Sequence, residues 1–151
     1  MKTAPQAVPY STSIGGRWTV SADAAIRAAE FRAALRRFLR RSERIARSSG
    51  LTPQRYLLLL MIKGAPNGSQ QSTVTELAER LQLAQSTVTE LVRRAEEVGL
   101  VERETSALDG RVAHLRLSEE GERRLAQAVA GLTGERAALR ATFQQLDEAA
   151  P

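Results

Sequence analysis

The chain has 151 residues, with 22 Lys+Arg against 17 Asp+Glu for a formal charge of +5, a single histidine and no cysteine. That length predicts one domain with a core of its own, and the missing cysteine excludes a disulfide framework, thiolate metal sites and thiol redox sensing. No apolar run approaches the ~18 residues of a membrane span, and residues 1–20 lack the apolar core of a secretory signal, so the expectation is a soluble cytoplasmic protein.

Residues 1–20 contain Pro5, Pro9, Ser11, Ser13, Gly15 and Gly16 without apolar periodicity, the composition of a flexible N-terminal arm. Ser21 is an N-cap candidate for a helix running to about Arg47. Its Ala24, Ala28, Phe31, Leu35, Phe38, Ser42 and Ile45 alternate spacings of four and three, the period of a helix packed along another helix. The other faces carry eight of the chain's 20 arginines. A helix of that length outreaches a small domain's own core, so a partner helix is expected.

Thr52-Pro53 opens a second helix with Pro at its first position. The run Tyr56–Ile62 is apolar nearly all round, which places this helix centrally; Gly64–Gly68 ends it. Thr73 and Glu76 have capping-box spacing for a third helix over Val74–Leu81, with Leu77, Ala78 and Leu81 inward. A turn containing the apolar Leu83 leads to a fourth helix over about Gln85–Val98. That helix buries Val88, Leu91, Val92 and Ala95 and stops at Gly99. Two short helices joined by a tight turn form a helix-turn-helix.

Leu100–Thr105 and Arg111–Leu117 are strand candidates around the turn pair Asp109-Gly110. In the second, Val112, His114 and Arg116 share one face, and Ala113, Leu115 and Leu117 the other. Ser118 caps a further helix. Its apolar pattern, Leu125 to Leu146, again alternates four and three, with a kink or break expected at Gly131 and Gly134.

The fold class is therefore mainly α with a small β-wing: a winged helix-turn-helix over 51–117. It is flanked by a dimerisation helix over 21–50 and C-terminal dimerisation helices over 118–151. In this arrangement the fourth helix presents its first turns to a DNA major groove while the wing reaches the neighbouring minor groove or backbone. The residues not needed for packing are Gln85, Ser86, Thr87, Thr89 and Glu90, with Arg93 and Arg94 further along. Gln suits adenine, Ser and Thr reach bases or phosphate, and Glu accepts from cytosine N4. Arg93 and Arg94 are placed for phosphate, and Arg111 beside the wing tip for a narrow minor groove. Ser86, His114 and Asp109 form no credible triad, so the chain is not read as an enzyme. No cofactor or metal is called for.

The sequence resembles the MarR family of winged helix-turn-helix transcription regulators over about Ser21–Ala150. Three segments carry the likeness: Leu51–Tyr56; Thr75–Thr89 followed by Gly99–Arg103; and Asp109–Gly121 with its Asp-x-Arg pattern. The resemblance implies a homodimer on palindromic double-stranded DNA, formed through the first and last helices, with a repressor's role. It assigns DNA contacts to Gln85, Ser86, Thr87, Thr89, Arg93 and Arg111, and gives Asp109 the task of orienting the wing by pairing with an arginine. It also implies a small aromatic or phenolic effector bound near residues such as Phe31 and Tyr56. Three positions depart from the pattern: Ala84 replaces a capping Ser or Thr, Glu90 stands where Arg is frequent, and Gly110 occupies a tip position often held by Arg. Glu90 should weaken nonspecific affinity. A protein-interaction module is the alternative, because residues 74–117 hold six basic against eight acidic residues.

Overall fold

The computed structural model describes the backbone of residues 11–14 and 17–18 and all of 19–148. Most of the expected arm (1–10 and 15–16) and the C-terminal 149–151 lie outside the described residues. Within the former arm, Ser11–Ile14 (β1) and Arg17–Val20 (β2) pair antiparallel with Ser11 opposite Val20. The flexible arm expected here is corrected to a hairpin; four-residue strands are too short to show alternation. The Thr, Val and Trp content and the intervening Gly-Gly pair are the signals for a hairpin.

Helix α1 spans Ala22–Ser48, and the Ser21 hydroxyl accepts from the Ala24 N–H (3.2 Å) as its cap. Then follow α2 (Pro53–Lys63), α3 (Val74–Leu81), α4 (Gln85–Glu97), β3 (Val101–Thr105), β4 (Ala113–Leu117), α5 (Glu119–Gly131) and α6 (Thr133–Glu148). The chain divides into two compact units. Among the described residues, one holds the hairpin, α1 through Leu39 and α6 from Glu135; the other is Arg40–Gly134.

In the Arg40–Gly134 unit the expected caps are all made. Thr52 accepts from Arg55 N–H, the Thr73–Glu76 box closes in both directions, and Ser118 accepts from Gly121 N–H. The core joins Leu58, Leu59 and Ile62 of α2 to Leu77 of α3, Val88, Val92 and Ala95 of α4, Leu115 of β4 and Leu125 and Ala128 of α5. Each fully buried Leu or Val contributes roughly 1.5–3 kcal/mol. Strands β3 and β4 pair antiparallel, Val101 opposite Leu117, and a bridge between Ser72 and Leu115 ties the α2–α3 loop to the same sheet.

One expectation of burial is corrected. Leu57 is 44% exposed, because an eleven-residue helix turned toward its neighbours still has an outer side. Leu83 is 41% exposed. The α3–α4 turn is closed by backbone: Gln82 adopts φ +56°, and the Leu83 N–H donates to the Ala78 carbonyl at 3.1 Å.

The last helical stretch breaks at Leu132, which is fully buried. Beside the break, a β-carbon at Gly131 would lie 2.9 Å from Ile45 Cγ2, so the glycine allows α5 to approach the end of α1 closely. The tighter approach is at Gly121, where a β-carbon would stand 2.1 Å from the Leu100 carbonyl oxygen. Gly121→Ala should therefore cost about 1–3 kcal/mol or more in chemical denaturation. Gly110→Ala, with nothing within 4 Å, should stay within about 0.5 kcal/mol of the parent. Equal stabilities for the two variants would refute the close approach.

Candidate nucleic-acid interface

Helix α3 is fixed on α2 by Arg80, whose guanidinium donates to the carbonyls of Met61 and, at 2.9 Å, Gly64. These are unpaired carbonyls at the end of α2, so a cation there satisfies both hydrogen bonding and the helix dipole. Sequence reasoning did not single out Arg80. Its place in the last turn of α3, facing the end of the preceding helix, was the available signal.

With α3 fixed, α4 turns its apolar side inward through Val88, Val92 and Ala95 and leaves the candidate residues outside. Gln85, Ser86, Thr87 and Thr89 are all exposed. The Gln85 amide lies 3.4 Å from the Thr75 hydroxyl, and the Thr89 hydroxyl donates to the Gln85 carbonyl (2.9 Å). Ser86 and Thr87 make no side-chain hydrogen bond among the described residues. The N-cap is Ala84 and supplies no side-chain bond, which leaves the first-turn N–H groups to solvent or a ligand.

Arg93 and Arg94 are engaged within the protein. Arg93 donates through Nε (2.8 Å) and Nη2 (2.7 Å) to the two oxygens of Glu90, and also pairs with Glu97. Arg94 Nε donates to Glu90 Oε1 at 2.7 Å. One carboxylate thus holds two guanidiniums. Hydrogen bonds from Arg93, and next from Arg94, hold the Glu90 carboxyl at about 2, against an ordinary 4.5. On the far side of the helix, Arg103 of β3 pairs with Glu96 at 3.0 Å, joining wing to helix.

The wing carries the alternation expected of it: Leu115 and Leu117 are buried, and Arg116 faces outward to pair with the cross-strand Glu102 at 3.0 Å. At its tip the Ser106 hydroxyl accepts from the N–H groups of Leu108 and Asp109, and the Asp109 carboxylate accepts from the Arg111 N–H at 3.0 Å. Asp109 therefore orients the wing by closing its turn; no ion pair to an arginine is made among the described residues. The Arg111 guanidinium is exposed and has no protein partner there. Leu108, which sequence reasoning passed over, is fully exposed beside it.

In the other unit, Phe31 stacks on Phe143 with centroids 4.5 Å apart and an interplanar angle of 18°. Helix α6 buries none of its residues in the single chain, and Ile26, Phe31 and Leu39 of α1 stay exposed. Tyr56, the other residue named for an effector pocket, is buried in the Arg40–Gly134 unit.

Two helices joined by a tight turn, the second packed against a following two-stranded wing, define a winged helix-turn-helix protein. Residues 49–112 match the sequence model of the MarR family. No curated protein matches the chain. Three similar solved structures place the likeness. YusO from Bacillus subtilis shares 24% identity over 86% of this chain and 99% of its own, with a TM-score of 0.61. MOSR of M. tuberculosis, solved in complex with DNA, shares 29% identity over 76% of this chain and 80% of its own, TM-score 0.56. A mutant E. coli MarR complexed with operator DNA shares 18% over 79% and 78%, TM-score 0.58. Over residues 49–112 the chain is thus similar to the MarR family, and its fold is that of solved winged-helix regulators.

The ion pairs on α4 have a defined pH window. The folded-state value of Glu90 lies below its ordinary one, so the stabilisation is complete above about 4.5 and is lost as pH falls toward 2. In an acid titration followed by circular dichroism, Glu90→Gln should flatten the loss of stability across that window. It should leave the curve between neutrality and pH 5 parallel to the parent; a change of slope near neutrality would contradict the pairing.

Proposed function

We propose that this chain is a sequence-specific DNA-binding transcription regulator that binds a palindromic operator as a homodimer. The observation that carries it is the first half of α4. Packing is met by Val88 and Val92, so Gln85, Ser86 and Thr87 are left exposed around an uncapped helix start, followed by the wing with Arg111, whose guanidinium has no partner among the described residues. A helix N-terminus with neutral polar side chains offers donors to phosphate and to base edges together. On this reading Gln85, Ser86, Thr87, Thr89 and Glu90 face the major groove, Arg93 and Arg94 its phosphates, and Arg111 the minor groove.

The homodimer is supported by the apolar residues that α1 leaves exposed and by the absence of buried residues on α6. A two-fold dimer presents two recognition helices and so matches a palindrome with half-sites about one helical turn apart. Repression by occupying the operator, relieved by a small aromatic or phenolic effector, is the regulatory mode the family resemblance supports.

One observation favours a second reading, a winged-helix module that binds protein. Residues 74–117 carry net −2, and Arg93 and Arg94 of α4 are already paired with carboxylates. Salt titration of binding to duplexes from the chain's own promoter region separates the two. The regulator should lose affinity steeply, with a log–log slope of about −0.9 per phosphate neutralised. No binding to any duplex would exclude it. Arg111→Ala should weaken binding about tenfold, the effect of one lost charge-assisted contact, and leave the sedimentation coefficient of the dimer unchanged. Dissociation of the dimer in that variant would show that the wing has another role.

A further inference from the structure

Glu90 stands one helical turn beyond Ser86 and Thr87, on the side of α4 that carries the base-reading candidates. A carboxylate there is a liability for a DNA-binding helix unless it has work to do, since it faces polyanionic DNA. Both of its oxygens are occupied in the free protein: Oε2 by Arg93 Nε, and Oε1 by Arg93 Nη2 and Arg94 Nε. Neither arginine can therefore reach phosphate by the same N–H groups without leaving Glu90.

Arginine–carboxylate and arginine–phosphate pairs are similar charge-assisted contacts, so the exchange alone gains little. It also strands a bare carboxylate in the groove. Guanine and thymine offer acceptor atoms O6 and O4 in the major groove and repel it; adenine sets its N6 amino donor beside the N7 acceptor, which opposes the second carboxylate oxygen, whereas cytosine offers its N4 amino donor with no acceptor beside it on the same base. The exchange is complete only where that donor is present.

Resting on the regulator reading above, we propose that Glu90 is a specificity-determining residue that couples base identity to phosphate contact. It withholds Arg93 and Arg94 from the DNA backbone until a cytosine N4 amino group takes over its carboxylate. A contact that looks self-cancelling in the free protein thereby suppresses nonspecific binding. The Glu97 pair on Arg93 reinforces the hold, while Arg94 has Glu90 as its carboxylate partner among the described residues.

The test is selection of binding duplexes from a randomised pool by the full-length protein and by Glu90→Gln, followed by salt titration on the selected and on a random duplex. The parent should enrich cytosine at one position in each half-site. Glu90→Gln should lose that preference while keeping the others. Its affinity for the random duplex should rise about tenfold, and its salt slope should steepen by about 0.9 to 1.8, for one or two added phosphate contacts. Adding Glu90→Gln to an Arg93→Gln, Arg94→Gln background should leave the salt slope where it was. That double-variant background should still prefer cytosine. Circular dichroism confirms that each variant is folded.

Unchanged base preference and unchanged random-duplex affinity in Glu90→Gln, with the parent still binding a selected duplex, would overturn the coupling and leave the regulator reading intact. Failure of the parent to bind any duplex would overturn both.

Discussion

Where α4 gives way to β3 and β4 to α5, two passages of the chain meet so closely that Gly121 has no room for a methyl group. The Leu100 carbonyl that a β-carbon at Gly121 would strike also accepts from the Ser118 N–H at 3.1 Å. The Ser118 hydroxyl donates to the Gly99 carbonyl (2.6 Å) and accepts from the Gly121 N–H (3.0 Å). The Leu100 N–H returns to the Ala95 carbonyl within α4 (2.9 Å), and Gly99, at φ +70°, supplies the reversal between helix and strand. A residue with a β-carbon is strained at that φ. The root of the wing and the end of α4 are thus set by backbone atoms and the Ser118 hydroxyl. Side chains on the outer faces of both can vary without changing how helix and wing are held to each other.

Arginine works differently in different parts of this chain. Arg80 and Arg124 serve structure, donating to the carbonyls of Gly64 and Gly50 where helices end. Arg93, Arg94 and Arg103 are matched by glutamates on α4. Residues 21–50 alone hold eight arginines against three acids, which equals the net +5 of the whole chain. The basic balance therefore says little about the helix-turn-helix itself. On the regulator reading, DNA contact falls to the geometry of α4 and the wing.

Features governed by local backbone chemistry were legible in the sequence. The Thr52-Pro53 start, the Thr73–Glu76 box, the Ser118 cap and the stop at Gly99 each need only residues within a turn of one another, and all appear as read. The break near Gly131 was legible for the same reason, although the close approach of Ile45 to that glycine was not. The readings that failed depend on the far side of an element. Leu57 is apolar yet exposed, because hydropathy reports what a residue prefers and not which side the fold turns inward. Asp109 was assigned an arginine and instead closes its own turn, a local bond that Asp favours two residues before an N–H. At the candidate site the residue types were legible, but their pairing was not. The spacing of Glu90, Arg93, Arg94 and Glu97 at three and four residues was a readable sign that the positive charges are not free.

On the regulator reading, those pairs bear on specificity more than on affinity. A genomic regulator is limited by the ratio of operator binding to the sum of all nonspecific sites. Free arginines on the recognition helix would tighten both and improve the ratio little, because phosphate is the same at every sequence. Neutralising them in the free protein removes the sequence-independent part first. The arginine surplus of α1 still acts over about one Debye length, ~8–10 Å, on encounter with any polyanion. Encounter and discrimination then fall to different residues: net charge on one helix draws DNA in, while the neutral polar first turn of α4, with Glu90 behind it, decides whether the complex lasts.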